Sequence, residues 1–270
     1  YQISPGAFFQ VTTRGAEVLY NVVRDRIRDL MVENIPVIEP AEESTTTPLT
    51  ADPKTTTNPK KLLMFDVCCG TGTIGLHCLS EGVVDRVVGI DISKPAIEDA
   101  IANAKRNGFN HQDVCRFVAS RAEHAMSNEI RRIHKNTETR TSTGGIVAVV
   151  DPARDGLHPD VIRSIRATTE IQRLIYVSCN PTGSLVNDAA LLCGPASKKY
   201  TGTPFVPVRA QPVDMFPLTN HCEMVLTFDR MKEEDEEKKV TDEKSKSNQM
   251  TSDKEVKEQG QEQEPVSYTH

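Results

Sequence analysis

The sequence predicts an α/β fold in which helices cover both faces of a mostly parallel, twisted sheet. From residue 62 onward, short apolar runs alternate with amphipathic segments, which is typical of chains that build parallel sheets. A glycine-rich turn follows the first run, and an acid or a cysteine stands where several later runs end. Since sheets of this class bind ligands beyond the carboxyl ends of their strands, these residues predict one shared cleft.

The elements follow one another in a regular order. An amphipathic helix is predicted over Ala16–Leu30, because apolar residues recur there at helical spacing. Strands are predicted at Leu62–Val67, Arg86–Asp91, Arg116–Ala119, Ile146–Val150, Arg173–Ser178, Phe205–Val213 and Met224–Phe228. Further helices are predicted at Thr73–Ser80, Pro95–Arg106, Ala122–Ile133, Pro159–Ala167 and Ser184–Leu192.

One folded domain is predicted to span residues 1–230. Two polar stretches, at about 34–60 and about 134–145, are expected to be disordered insertions because they hold few large apolar residues. Residues 231–270 hold 12 acidic residues and 7 lysines and are expected to form a disordered charged tail. The tail carries most of the net charge of −6, so nucleic-acid binding by the nearly neutral domain would need local basic patches.

The composition argues against several classes of protein. No stretch approaches the roughly 18 apolar residues of a membrane span, and no secretory signal is visible. The seven cysteines form no CxxC pair, so neither a disulfide framework nor a metal site is expected. This cysteine usage indicates a reducing compartment. We expect the cytoplasm or the nucleus, with the mitochondrion as the alternative.

The glycine-rich turn predicts a nucleotide-type cofactor. Gly70, Gly72 and Gly75 match GxGxxG where the first strand meets its helix, and glycine there allows a tight turn and close approach of a ligand. The pattern alone also fits a turn without a ligand, or one that binds a dinucleotide. Asp66 favours S-adenosylmethionine, because a carboxylate in that strand could face an aminoacyl ammonium group. Asp91, at the end of the second strand, suits the ribose of either cofactor.

Three strand ends carry groups with useful chemistry. Cys179 directly follows a predicted buried strand, although a cysteine that merely packs is the common alternative. Asp151 ends the fourth strand, where an ordinary Asp-Pro turn is the alternative. Glu223 opens the last strand, a position at which glutamate usually faces solvent. Neighbouring strand ends could instead bring it near Cys179.

Five motifs occur in order along residues 1–230. They are Phe8-Phe9-Gln10, the glycine-rich turn, Asp151-Pro152-Ala153-Arg154-Asp155-Gly156-Leu157-His158, Ser178-Cys179-Asn180-Pro181 and His221-Cys222-Glu223. Together they resemble the RNA (uracil-C5)-methyltransferase family, and within it the eukaryotic tRNA (uracil-5-)-methyltransferase homologues. The sequence departs from the family pattern at Ala153, where a second proline is usual, at Thr12, where asparagine is common, and at Asp155, where a small residue is usual.

The resemblance implies a Rossmann-like class I S-adenosylmethionine-dependent methyltransferase fold. It implies a catalytic domain that methylates C5 of the T-loop uridine in tRNA. Cys179 would be the nucleophile that adds to uracil C6, and Glu223 the base that removes the C5 proton. The cofactor contacts implied by the resemblance come from Gln10, Cys68, Gly70, Thr73, Asp91 and Asp151.

The implied partner is the T-arm of a tRNA, and the protein is expected to be a monomer without membrane contact. Family members carry an N-terminal RNA-binding region, and a chain that begins at Tyr1 is expected to be a catalytic fragment without it. The residues leave two other functions open: an NAD-dependent oxidoreductase, which fits GxGxxG and Asp91, and a non-catalytic RNA-binding or chaperone module. The first gives Cys179 no role, and the presence of both Cys179 and Glu223 argues against the second.

Overall fold

The computed structural model describes residues 1, 3, 10, 12–33, 61–135 and 143–232. These ranges contain six helices: α1 (Thr13–Glu33), α2 (Thr73–Ser80), α3 (Lys94–Arg106), α4 (Ala122–Lys135), α5 (Pro159–Ala167) and α6 (Ser184–Cys193). They also contain seven strands: β1 (Lys61–Val67), β2 (Arg86–Asp91), β3 (Cys115–Ala119), β4 (Thr143–Val150), β5 (Ile171–Ser178), β6 (Phe205–Val213) and β7 (Glu223–Arg230).

The strands form one sheet in the order β3-β2-β1-β4-β5-β7-β6. Strands β1 to β5 are parallel, whereas β7 lies antiparallel between β5 and β6. The chain reverses its direction of strand addition between β1 and β4, and clefts for ligands form at such a switch point. This sheet confirms the predicted Rossmann-like α/β fold.

The parallel strands are buried on both faces, as their nearly continuous apolar runs require. Alternate residues of β1 enter two different cores: Phe65 packs in the core beneath α4, α5 and α6, and Met64 in the core beneath α1, α2 and α3. Each fully buried side chain of this size contributes about 1.5–3 kcal/mol through the hydrophobic effect. The two cores hold the carboxyl ends of the strands in fixed relative positions.

Helix α1 is fastened to the sheet by a buried arginine. Arg173 is 3% exposed and donates from Nε and Nη2 to the carboxylate of Asp229 at 2.6 and 2.8 Å. Its Nη1 donates to the carbonyl of Arg26 in α1 at 2.9 Å. Because the guanidinium joins β5, β7 and α1, the helix is positioned beside the strands that carry Cys179 and Glu223.

The observed elements agree with the predicted ones apart from their ends. Helix α1 is longer than predicted, from Thr13 to Glu33, and the predicted insertion at about 134–145 is wrong at both ends. Residues 134 and 135 still belong to α4, and residues 143–145 belong to β4. Gly145 suits that strand because a Cβ atom there would lie 2.5 Å from the side chain of Gln172. The predicted insertion at 34–60, residues 136–142, most of the tail and Phe8-Phe9 lie outside the described residues.

Candidate active site

A cleft of about 970 Å³ opens at the carboxyl ends of the parallel strands. Its size falls within the range of small-molecule sites in proteins. It is lined by all eight residues that the sequence analysis assigned to catalysis or to cofactor binding: Gln10, Cys68, Gly70, Thr73, Asp91, Asp151, Cys179 and Glu223. All five motifs, which are far apart in sequence, therefore meet in one place, although the roles of these residues stay predictions.

The glycine-rich turn borders the cleft and leads into α2. Gly70 and Gly72 have φ of +53° and +76°, conformations that favour glycine. A Cβ atom at Gly70 would meet no atom within 4 Å, so the backbone there is open to a ligand. At Gly72 a Cβ atom would lie 2.6 Å from the ring of Phe117. Gly70 thus allows close approach of a ligand, and Gly72 allows the turn to pack against Phe117 of β3.

Asp91 is held rigidly at the edge of this turn. Its Oδ2 accepts a hydrogen bond from the amide of Gly70 at 2.9 Å, and its Oδ1 accepts from the amide of Ser93 at 2.8 Å. The carboxylate therefore joins the end of β2 to the glycine-rich turn of β1. A fixed acceptor at this strand end is suited to bind hydroxyl groups of a cofactor.

Asp66 lies elsewhere than expected. Its side chain is completely buried and is absent from the cleft lining, and its Oδ2 accepts from the amide of Gly75 at 2.9 Å. Burial raises the pKa of Asp66 to about 7. The interpretation that this carboxylate faces an aminoacyl ammonium group is wrong. Its hydrogen bond instead fixes the first turn of α2. A side chain at Gly75 would not fit there, because a Cβ atom would lie only 2.8 Å from Oδ2 of Asp66.

The pairing of β5 with β7 brings the two candidate catalytic residues together. The antiparallel register ends with Ser178 opposite Met224. Cys179 directly follows Ser178 and Glu223 directly precedes Met224, so the two residues lie at the same end of this strand pair, and both line the cleft. The carboxyl is near enough for its charge to raise the pKa of the Cys179 thiol.

The carboxyl of Glu223 is buried at the start of β7. It is 3% exposed, and its Oε2 has no hydrogen-bond partner within the described residues. Burial raises the pKa of Glu223 to about 7. A carboxyl with such a pKa can accept and release a proton near neutral pH, as a general base must.

The surroundings of Cys179 in the cleft raise the pKa of its thiol. Burial raises its pKa, and the charge of Glu223 raises it further, while the guanidinium of Arg154 acts in the opposite direction. Burial also raises the pKa of Asp151 to about 8, with the charges of Glu223 and Asp66 adding to the effect. The cleft thus disfavours several simultaneous negative charges.

The loops after β4 and β5 are tied together beside this pair. The carbonyl of Arg154 accepts hydrogen bonds from Nδ2 of Asn180 at 3.1 Å and from Oγ of Ser184 at 2.9 Å. Asp188, buried in α6, accepts from the hydroxyl of Tyr176 at 2.6 Å and from the amide of Leu157 at 2.7 Å. These bonds position the loop that carries Asp151 relative to the residue that follows β5.

Replacing Asp188 with alanine should destabilise the domain strongly. The hydroxyl of Tyr176 and the amide of Leu157 would both lose their partner inside the protein, and each such loss costs roughly 1–3 kcal/mol. Denaturant unfolding measures the effect. The matched control is Asn187→Ala, an exposed neighbour on the same helix. If both variants unfold at the same denaturant concentration as the wild type, Asp188 does not hold the loop.

Tyr20 and Phe216 line the cleft without any signal in the sequence, whereas His221 belongs to the motif His221-Cys222-Glu223. Tyr20, on α1, lines the cleft and its hydroxyl lies 3.1 Å from Oγ1 of Thr73. Phe216 and His221 also line the cleft, with their rings packed edge to face at 6.4 Å. Arg154 stands inside a motif noted in the sequence, but only the structure shows its charge acting on Cys179.

The described residues contain neither a cluster of metal ligands nor a membrane-spanning helix. No group of three or more histidine, cysteine, aspartate or glutamate residues in that part of the chain could hold a metal ion. Within the same ranges, no helix is both long and apolar enough to cross a lipid bilayer.

Comparison with known proteins identifies relatives across most of the chain. A family model described as tRNA (Uracil-5-)-methyltransferase matches residues 30–231. The tRNA (uracil-5-)-methyltransferase homolog A of Mus musculus is 40% identical over 233 residues, which are 86% of this chain and 31% of that protein. Homolog B of Danio rerio is 35% identical over 232 residues, 85% of this chain and 40% of that protein. The chain thus spans between about a third and two fifths of the length of these relatives.

Proposed function

Since this chain belongs to the tRNA (uracil-5-)-methyltransferase family, we propose that its cleft methylates C5 of uridine in tRNA with S-adenosylmethionine as the methyl donor. We further propose that the target is the T-loop uridine and that the reaction passes through a covalent bond between Cys179 and C6 of uracil. The observation that carries the proposal is the pairing of β5 with β7, which brings a thiol and a buried carboxyl with a pKa of about 7 to the same end of one cleft.

The residues of the cleft fit the proposed cofactor. The open backbone at Gly70 and the fixed carboxylate of Asp91 suit a nucleoside, and Gln10, which is 5% exposed, adds a buried polar group. Cys68 and Thr73 lie in the same turn and its helix, and Asp151 lies on the side toward Glu223. The bound cofactor supplies an electrophilic methyl group at this end of the sheet.

Cys179 is required because C5 of uracil is a weak nucleophile. The sulfur of Cys179 loses its proton as it forms a bond to C6, and the electron pair of the C5–C6 double bond moves into an enolate. This places electron density on C5, the atom that accepts the methyl group. The guanidinium of Arg154 favours the step because its charge opposes the rise in the pKa of the thiol.

Glu223 completes the reaction by removing a proton. Once C5 carries the methyl group, it still holds its original hydrogen, and the carboxylate of Glu223 accepts that hydrogen as a proton. The electron pair left on C5 re-forms the C5–C6 double bond, and the bond from C6 to the sulfur of Cys179 breaks.

The target base has to leave its stack in the folded RNA to reach the cleft. We propose that the protein acts on the T-arm as a monomer, in the cytoplasm or nucleus or, alternatively, in the mitochondrion. Regions of the full-length protein outside this chain are proposed to supply most of the affinity for tRNA, since phosphate contacts dominate such affinity and residues 1–230 are nearly neutral.

One assay tests the proposed function directly. The full-length protein is incubated with unmodified tRNA and S-adenosylmethionine that carries a labelled methyl group, and the labelled nucleoside is identified and mapped. We expect label in 5-methyluridine of the T-loop, and none in a tRNA whose T-loop uridine is replaced by cytidine. Label in another nucleoside, or no label with intact tRNA, would refute the proposal.

Replacing Asp91 with alanine should weaken binding of S-adenosylmethionine by roughly 1–3 kcal/mol, because a charge-assisted hydrogen bond to the ribose is lost. Isothermal titration calorimetry measures the change. Glu98→Ala, at an exposed position on α3, is the control and should bind as the wild type does. Equal affinities for the Asp91 variant and the control would remove Asp91 from the site.

A further inference from the structure

A leucine projects into solvent from the loop between β6 and β7, beside the mouth of the cleft. Leu218 is 106% exposed relative to a free residue, the largest value among the exposed large apolar side chains of the described residues. Its φ is +67°, in the left-handed region that glycine or asparagine adopts more easily than leucine. The chain therefore presents a large apolar group at a position where neither burial nor backbone preference favours it.

The loop holds this leucine in a defined place. The Oδ1 of Asp214 accepts from the amide of Phe216 at 3.2 Å, and the carbonyl of Phe216 accepts from the amide and the hydroxyl of Thr219 at 3.1 and 2.7 Å. The hydroxyl oxygen of Thr219 in turn accepts from the amide of His221 at 3.2 Å. Leu218 is thus the tip of a tight turn.

Both ends of the turn belong to the cleft. Phe216 and His221 line it together with Glu223, two residues after His221. Their rings pack edge to face with an interplanar angle of 83°, which fixes the base of the turn against the cleft wall. Leu218 therefore lies two residues from one cleft-lining residue and three residues from another, in the loop that leads to Glu223.

The proposed function requires a base to leave the RNA stack, and an apolar side chain beside the cleft could fill the gap that it leaves. Extruding a uracil from folded RNA leaves a gap in the stack, and unstacked neighbours lose favourable contacts. Proteins that deform nucleic acids fill or open such gaps with leucine, phenylalanine or isoleucine side chains. A rigid turn presents such a group with little loss of conformational entropy on binding, because its backbone is already ordered.

We propose that Leu218 is a wedge that enters the RNA stack and occupies the space vacated by the target uracil. The proposal rests on the proposed function, and it makes Leu218 a positioning residue rather than a catalytic one. The wedge keeps the extruded base from returning, so that Cys179 can reach C6. A contact of Leu218 with a protein partner is the competing explanation, and it predicts no effect on purified RNA.

The test compares Leu218→Gly in the full-length protein with wild type on two RNAs that contain 5-fluorouridine at the target position. One is a folded T-arm hairpin, and the other is a short unstructured RNA with the same flanking sequence. Adduct formation is followed in single turnover on denaturing gels. We expect the glycine variant to react about tenfold or more slowly with the hairpin, and at nearly the wild-type rate with the unstructured RNA.

Two further variants separate a wedge from a structural role. Leu218→Phe keeps a large apolar group and should restore the rate on the hairpin, whereas Val208→Ala, at a half-exposed position on β6, should change neither rate. Because glycine accepts the positive φ, Leu218→Gly should unfold at the same temperature as wild type or higher. If Leu218 is a wedge, Leu218→Gly should be less active on the hairpin while its stability is unchanged or higher. If Leu218 had only a structural role, the loss of activity would come with a loss of stability.

The outcomes distinguish this inference from the proposed function. If wild type forms no adduct with either RNA, the proposed function fails and the wedge fails with it. If wild type reacts but Leu218→Gly reacts normally with the hairpin, or slows equally on both RNAs, the proposed function stands and the wedge is refuted.

Discussion

Cys179→Ala should abolish both methylation and the covalent complex with RNA, with a loss of about 10⁴-fold or more, as for other enzymes that lose their nucleophile. The variant lacks the sulfur that bonds to C6, so C5 is never activated. A 5-fluorouridine RNA should therefore trap wild type on a denaturing gel but leave the alanine variant unbound. Binding of S-adenosylmethionine should remain, because Cys179 lies on a different strand end from Gly70 and Asp91.

Cys222→Ala is the matched control for the nucleophile. Cys222 is also partly exposed, lies beside Glu223 in sequence, and is not part of the cleft lining. It should keep both activities. Cys68 and Cys69 line the cleft, but burial raises the pKa of Cys68 to about 12 and that of Cys69 well above its ordinary value. If Cys179→Ala still forms the adduct, one of these cysteines is the nucleophile and the proposed mechanism is wrong.

The convergence of the motifs could be predicted from the sequence because parallel strands end at one edge of a sheet. Each strand end was marked by a change from apolar to polar residues, so Asp91, Asp151 and Cys179 could be placed at that edge. Helix α2 and strand β2 were predicted with their observed bounds, because a glycine-rich turn and a terminal acid mark their ends.

The sequence raised the possibility that neighbouring strand ends bring Glu223 near Cys179, but it could not establish which strands pair. The proximity of the two residues depends on β7 inserting between β5 and β6, a long-range antiparallel pairing that no local pattern encodes. The burial of Asp66 and the position of Tyr20 were missed for a similar reason. Side chains of β1, which contains Asp66, point alternately into two cores. Only the packing of α2 and α1 on the sheet decides whether Asp66 and Tyr20 reach the cleft.

Glu223→Gln should separate methyl transfer from proton removal. Glutamine keeps the size of the side chain but cannot accept the C5 proton, so the reaction should stop after C5 is methylated. The negative charge that raises the pKa of Cys179 is also gone, so attack on C6 should be at least as fast as in wild type. The variant should accumulate a covalent complex with RNA that already carries the methyl group, visible by denaturing gel and mass spectrometry.

The pH dependence of this step follows from the direction of the pKa shift. Glu223 acts as a base only when ionised, and its pKa is about 7, so release of product should slow about tenfold for each pH unit below that value. The stability of the folded protein changes with pH in the opposite direction to the rate of product release. Burial raises the folded-state pKa above 4.5, so the folded form binds the proton more tightly, and the stability that this gives is lost as pH rises through about 7.

The opposite pH dependences of product release and of folding stability distinguish loss of the base from misfolding of the variant. Because glutamine has no charge to bury, Glu223→Gln should be more stable than wild type at pH 8 and differ little from it at pH 5, while its product release stays slow at both. Thermal unfolding and single-turnover kinetics at the two pH values measure this. Normal turnover by the variant would move the base elsewhere in the cleft, with Asp151 and His221 the next candidates, since both also line it.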